Sequence, residues 1–216
     1  MPDFIQGPHQ GQPLVMAGQQ LSNAKAALIL VHGRGATAQS ILELGGVLSH
    51  PDYAYLAPQA GANTWYPYSF LAPISQNEPG ITSGLQAVAD AVETVEAAGV
   101  PIEKIVLGGF SQGACLASEF VARHARHYGG LLVFSGGLIG PPGTLRDYEG
   151  TLDGTPIFIG CSDVDPHIPI ERVTETADVL TNLGASITQK IYPAMGHTII
   201  QDEIDHALQI MRRVVA

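Results

Sequence analysis

The residues with the most chemical potential stand together at Gly109-Phe110-Ser111-Gln112-Gly113. A serine hydroxyl is a weak nucleophile until a base takes its proton, and the base needs a third group to hold its tautomer. The apolar run Ile105–Phe110 precedes Ser111, and Ala114-Cys115-Leu116-Ala117 after it can begin a helix. A sharp strand-to-helix turn strains its central residue, exposes that side chain and admits only small residues two positions away on either side. Gly109 and Gly113 meet that need. The first N–H groups of the new helix would face an oxyanion formed by attack on a carbonyl, which makes Gln112 N–H the first expected donor.

The partners lie downstream, in the order nucleophile, acid, base. The run Pro156–Cys161 ends in Ser162-Asp163-Val164-Asp165-Pro166-His167-Ile168-Pro169, so the acid is Asp163 or Asp165, although either is also a common turn residue. The run Ile187–Tyr192 leads into Pro193-Ala194-Met195-Gly196-His197, which makes His197 the expected base. His167 is a rival, but it shares the acid's loop and reads as a solvent-facing residue. His124, His127 and His206 fall on expected helices as surface or internally satisfied residues. A second oxyanion donor is expected after the first central strand, at His32-Gly33-Arg34-Gly35-Ala36, where Arg34 N–H is the choice. A phosphate loop is excluded there, because the Lys-Ser/Thr pair is missing.

These groups need a scaffold that places them at strand ends. Ala27–Val31, Tyr53–Ala57, Ile105–Phe110, Leu131–Phe134, Pro156–Cys161 and Ile187–Tyr192 are apolar with little alternation, as expected of parallel strands covered on both faces. Helical stripes lie between or after them. Leu85, Val88, Ala89, Val92 and Val95 form one, with Ser83 and Gln86 as its expected capping box and Gly99 and Pro101 beyond its end. Ile170, Val173, Ala177 and Leu180 form a second, ending at Gly184, and Ile204, Leu208, Met211 and Val215 a third. Alternating strands and helices with right-handed crossovers make a doubly wound α/β sheet, whose reactive groups sit at the carboxyl ends of its strands.

Composition narrows the function classes. The 216 residues suit one domain spanning 1–216, given a typical domain of roughly 150 residues. The net charge of −10, with no basic cluster beyond Arg212–Arg213, argues against a nucleic-acid partner. Apolar runs such as Ala26 to Val31 are too short to span a bilayer. Two cysteines, Cys115 and Cys161, do not make a disulfide scaffold but leave room for one bridge. The first eight residues, Met1 to Pro8, lack the basic and apolar regions of a secretory leader, so a cytoplasmic location is the expectation.

Taken together the chain resembles the phospholipase/carboxylesterase family of α/β-hydrolases, which includes carboxylesterases and acyl-protein thioesterases, from about Ala26 to the C-terminal helix. The markers are His32-Gly33, Trp65, Glu78-Pro79-Gly80-Ile81, Gly108-Gly109-Phe110-Ser111-Gln112-Gly113, Asp165-Pro166-His167-Ile168-Pro169 and Met195-Gly196-His197. The resemblance implies an α/β-hydrolase fold, a mostly parallel sheet with helices on both faces and no large cap. It selects Asp165 over Asp163, which makes Ser111, Asp165 and His197 the triad. Ala114 replaces a common second glycine, Gly160-Cys161 replaces a frequent His-Gly, and Arg34 replaces a small or aliphatic residue. A cation at Arg34 would favour esters with a polar or anionic group. Trp65, Tyr66, Phe70 and Met195 line an acyl pocket or pack in the core.

The expected activity is hydrolysis of small-molecule carboxylic esters of short to medium acyl chain, through an acyl-enzyme and without cofactor or metal. Thioesterase or lysophospholipase activity on the same scaffold is the alternative, and a homodimer is allowed. Two other classes compete: a metal-dependent hydrolase using Asp163, Asp165 and His167, and a non-catalytic binding protein.

Overall fold

The computed structural model of the chain describes residues 7–216, and Met1 to Gln6, part of the segment read for a leader, lie outside it. Among the described residues seven strands form one sheet in the order β1-β3-β2-β4-β5-β6-β7. They are β1 (Leu14–Gly18), β2 (Ala26–Val31), β3 (Tyr53–Pro58), β4 (Ile105–Phe110), β5 (Gly130–Phe134), β6 (Pro156–Ser162) and β7 (Ser186–Tyr192). All neighbours are parallel except β1, which runs antiparallel to β3 at the edge. The six expected strands are present, but β7 is an edge strand whose residues alternate between exposed and half-buried, not a strand covered on both faces. β1 was not expected, although Leu14 to Ala17 is a short apolar run; it lies at the sheet edge with Met16, Ala17 and Gly18 exposed.

The helices are α1 (Ala38–Val47), the single turn α2 (Ile74–Asn77), α3 (Gly80–Ala97), α4 (Gln112–Arg123), α5 (Ile170–Asn182) and α6 (Gln201–Val215). Side chains alternate along each strand, so β2 sends Ala27, Ile29 and Val31 into a core shared with α3, α4 and α5, and Ala26, Leu28 and Leu30 into a second core shared with α1 and α6. Each of the larger aliphatic side chains contributes about 1.5–3 kcal/mol by leaving water. Between β5 and β6, and between β3 and α2, the chain forms loops and short turns, so no cap covers the sheet's carboxyl edge among the described residues. No helix among them is long and apolar enough to cross a membrane.

Two local expectations need correction. α3 begins at Gly80 after Pro79, not at a Ser83/Gln86 capping box; Ser83 lies one turn inside, fully buried, and its Oγ receives the N–H of His9. A serine with a tertiary partner gives the same local signature as a cap. His127 lies past the end of α4 in the approach to β5, where its ring contacts Asp153 O at 2.7 Å.

The sheet order sets the site. From β2 the chain first turns outward to β3, then returns to place β4 on the other side of β2. This reversal is the switch point of a doubly wound sheet, where the loops after two adjacent strands diverge and leave a crevice. The loops that diverge there carry His32 to Ala36 and Ser111.

Candidate active site

Ser111 has φ 56° and ψ −121°, the strained backbone of a sharp turn between β4 and α4. The glycines explain how the turn is tolerated. A Cβ at Gly109 would come within 2.6 Å of Gly113 C, and one at Gly113 would strike the carbonyl oxygens of Val31 and His32. The turn is pinned by Ser111 N–H donating to Phe134 O at 3.0 Å and by Cys115 N–H donating to Ser111 O at 3.0 Å.

His197 and Asp165 meet across two loops. His197 Nδ1 lies 2.7 Å from Asp165 Oδ2, with the Asp165 side chain wholly buried and that of His197 18% exposed. The other carboxylate oxygen, Oδ1, accepts the N–H groups of His167 at 2.8 Å and Ile168 at 3.0 Å. Burial opposes ionisation of Asp165, but the His197 bond and these two amides outweigh it and hold the carboxyl below its ordinary range. Asp163 is committed elsewhere: its Oδ1 receives Ala194 N–H at 2.8 Å, bracing a residue at φ 54° in the loop that carries His197.

A cavity of about 490 Å³ brings Ser111, Gln112 and His197 together with Gly33, Arg34 and His167. No hydrogen bond joins Ser111 to His197 among the described residues, and such bonds often form only once substrate is bound. The Phe110 ring rests 4.7 Å from that of His197, and the His167 ring meets it edge-on at 4.8 Å. Gly33 presses against the nucleophile turn, for a Cβ there would lie 3.3 Å from Phe110 O and 3.6 Å from Ser111 Cβ. The N–H groups of Gln112 and Arg34 have no protein acceptor among the described residues. The N-terminus of α4 adds a positive partial charge of roughly half a unit.

Other expectations are met unevenly. Tyr66 and Phe70 line the cavity. Trp65 and Met195 do not: both are buried outside it, and Trp65 Nε1–H donates to His32 O at 2.9 Å. The exposed Arg34 side chain lines the cavity, and its guanidinium donates to Pro67 O at 2.8 Å and Tyr68 O at 2.6 Å, so the cation also holds the loop that forms the wall. Cys115 and Cys161 are buried free thiols rather than a bridge, each pushed up to about 12 by burial, and Cys115 lines the cavity. Asp163, Asp165 and His167 do not converge, and among the described residues no group of three or more His, Cys, Asp or Glu is placed to hold a metal. Phe110, Ile168 and Cys115 were missed as lining residues, since nothing in their types distinguishes a wall from a core.

The sequence model of the phospholipase/carboxylesterase family matches residues 12–214. The chain is 42% identical to a phospholipase/carboxylesterase from Dyadobacter fermentans, whose crystal structure superimposes with a TM-score of 0.89 over 95% of this chain and 97% of that one. It is 27% identical to acyl-protein thioesterase 1 of Gibberella zeae, over 89% of this chain and 92% of the relative. It also matches the structure of esterase PE8 at 25% identity and TM-score 0.74, over 94% and 98% of the two chains. With the sheet order and the elbow at Ser111, these likenesses make the chain a serine hydrolase of the phospholipase/carboxylesterase family, built on the α/β-hydrolase fold.

Proposed function

We propose that the protein hydrolyses carboxylic esters of short to medium acyl chain, with Ser111 as nucleophile, His197 as general base and acid, and Asp165 as the carboxylate that orients it. The observation that carries this reading is the 2.7 Å bond from Asp165 to His197 Nδ1, which leaves Nε2 for the serine in the cavity that Ser111 also lines. Ser111 Oγ attacks the ester carbonyl carbon as His197 Nε2 takes its proton. The carbonyl oxygen becomes an oxyanion held by the N–H groups of Gln112 and Arg34, each supplying about 10²–10³ in rate. The carbon–oxygen bond to the leaving group breaks, and His197 returns the proton to the departing alkoxide. Water then repeats the sequence on the acyl-enzyme. Tyr66, Phe70 and Ile168 give the cavity an apolar wall for the acyl chain, and no cofactor enters any step.

A second reading, thioester hydrolysis, is supported by the acyl-protein thioesterase relative and uses the same groups, with a thiolate leaving instead of an alkoxide. One experiment separates them. Turnover of a p-nitrophenyl ester series from acetate to palmitate is compared with that of matched acyl thioesters, for wild type and Ser111→Ala, with and without EDTA. An optimum at short to medium esters, indifferent to EDTA and reduced at least about 10⁴-fold in Ser111→Ala, is expected. Activity surviving in Ser111→Ala would overturn the nucleophile, and a marked preference for long-chain thioesters would favour the second reading.

A further inference from the structure

Two histidines outside this chemistry enclose Trp65. Its ring lies 5.1 Å from that of His9 and 5.0 Å from that of His32, and all three side chains are buried. Consecutive backbone amides set their tautomers. Ala60 N–H donates to His32 Nε2 at 3.1 Å and Gly61 N–H to His9 Nδ1 at 3.0 Å. A ring nitrogen that accepts carries no proton, so the opposite nitrogen does. His32 Nδ1–H therefore donates to Gly33 O at 2.8 Å, and His9 Nε2–H to Trp65 O at 2.8 Å. Burial lowers both pKa values and keeps the rings neutral, against the bonds to these carbonyls.

The two carbonyls so held lead to the two oxyanion donors. Gly33 O belongs to the peptide whose N–H is that of Arg34. In a trans peptide the C=O and N–H point in opposite directions, so fixing Gly33 O on His32 turns Arg34 N–H away from that ring. On the other side, Trp65 N–H donates to Gln112 Oε1 at 3.0 Å and Gln112 Nε2 donates to Tyr66 O at 2.9 Å, so the loop carrying Trp65 grips the residue that supplies the first donor. Trp65 Nε1–H on His32 O joins the two branches. His9 closes the structure from outside the family match, which begins at residue 12. Its own N–H donates to Ser83 Oγ on α3 at 2.9 Å, and the segment is so closely applied that a Cβ at Gly61 would strike Pro8 O.

We propose that His9 is a positioning residue for the reaction: from the N-terminal segment it braces Trp65, and through Trp65 and His32 it holds both oxyanion donors in place. This rests on the assignment of Gln112 and Arg34 as those donors. A brace of this kind acts on the transition state more than on the bound ester, because the charge it helps to hold appears only on attack.

The test compares His9→Leu, which removes both ring bonds, with His9→Gln, which can still accept from Gly61 and donate to Trp65. Turnover of p-nitrophenyl acetate is expressed per site labelled to completion by a fluorophosphonate, and affinity for an alkyl trifluoromethyl ketone reports the hole directly, since its adduct bears an oxyanion. His9→Leu is expected to lower kcat about tenfold with KM within about twofold, and to weaken the ketone about tenfold, while His9→Gln restores most of both. Wild-type turnover and ketone affinity in His9→Leu, or a loss confined to KM, would overturn the proposal. If His9→Leu does not fold, Ser83→Ala carries the test by removing the oxygen that receives the His9 N–H; a loss of about threefold in kcat and ketone affinity is expected, and no change overturns the proposal. An inactive Ser111→Ala beside an unaffected His9→Leu would remove the role of His9 alone, whereas an active Ser111→Ala would remove the esterase reading with it.

Discussion

The two halves of the site are built from different materials. Apart from the Arg34 guanidinium, the half around Ser111 is made of backbone, glycines and neutral rings: the elbow lies against Val31 and His32 carbonyls, and the loop at Gly33 is tied to an uncharged histidine. The half around His197 is made of carboxylates, each with an assigned backbone or ring partner: Asp163 on Ala194, Asp165 on His197, His167 and Ile168, and Glu203 on Ile200. The first half must present fixed dipoles to a charge that appears transiently, and neutral groups do this at any pH where they stay neutral. The second must move a proton, which requires groups whose charge can change. Geometry is stored in one half and titration in the other.

The contrast is tested most severely within the charged half. Asp165→Asn should lower kcat by about 10³–10⁴, because an amide that keeps its oxygen on the His167 and Ile168 N–H groups presents its NH₂ to His197 Nδ1 and forces the wrong tautomer. Asp163→Asn should cost less than about tenfold, since an amide oxygen can still receive Ala194 N–H. Steady-state kinetics on one ester decides it; equal losses in the two variants would mean that the site does not distinguish the acid from its neighbour. In the neutral half the corresponding change is Gly113→Ala, where the added methyl meets two carbonyl oxygens of the adjoining strand end. It should destabilise the fold by about 3 kcal/mol or more, measured by urea unfolding, and unchanged stability would show that the elbow can yield.

What the sequence disclosed follows the same division. Ser111, His197 and the covered strands β2 to β6 were legible because each has a local signature: glycines spaced around a nucleophile, a histidine after a β-rich run, apolar stretches without alternation. Asp163 and Asp165 were not separable from the residues alone, since both are turn formers on one loop and only the partner across space distinguishes them. Trp65 was read as a wall or core residue, but its place between two histidines depends on Ala60 and Gly61, which no pattern marks. α1 escaped because Gly45 and Gly46 weaken a helical stripe, and β1 because five residues ending in a glycine give little pattern to read. Arg34 shows the limit most clearly: its charge was legible, whereas the carbonyls of Pro67 and Tyr68 that fix its position were not.

A pH-dependent effect on stability lies beneath the charged half, at Glu203 in the first turn of α6. Its Oε2 accepts Ile200 N–H at 2.9 Å, just after the loop of His197, while Oε1 is buried without a partner among the described residues and packs against Gly160 of β6. Burial pushes its carboxyl up to about 7, helped by the nearby charge of Asp202 and opposed by the Ile200 bond. The fold therefore prefers this group protonated. Its contribution is fully present below the ordinary glutamate value of about 4.3 and is lost as pH rises through 7, where ionisation leaves a buried charge with a single amide to hold it. Glu203→Gln keeps an oxygen for Ile200 and carries no charge at any pH. It should match the wild type in Tm at pH 4 and exceed it at pH 8, by on the order of 2–3 kcal/mol in stability. Thermal unfolding of both proteins at the two pH values isolates the effect, because every other titrating group is common to them. A difference that does not change with pH would show that the buried oxygen, and not its charge, is what the fold has to accommodate.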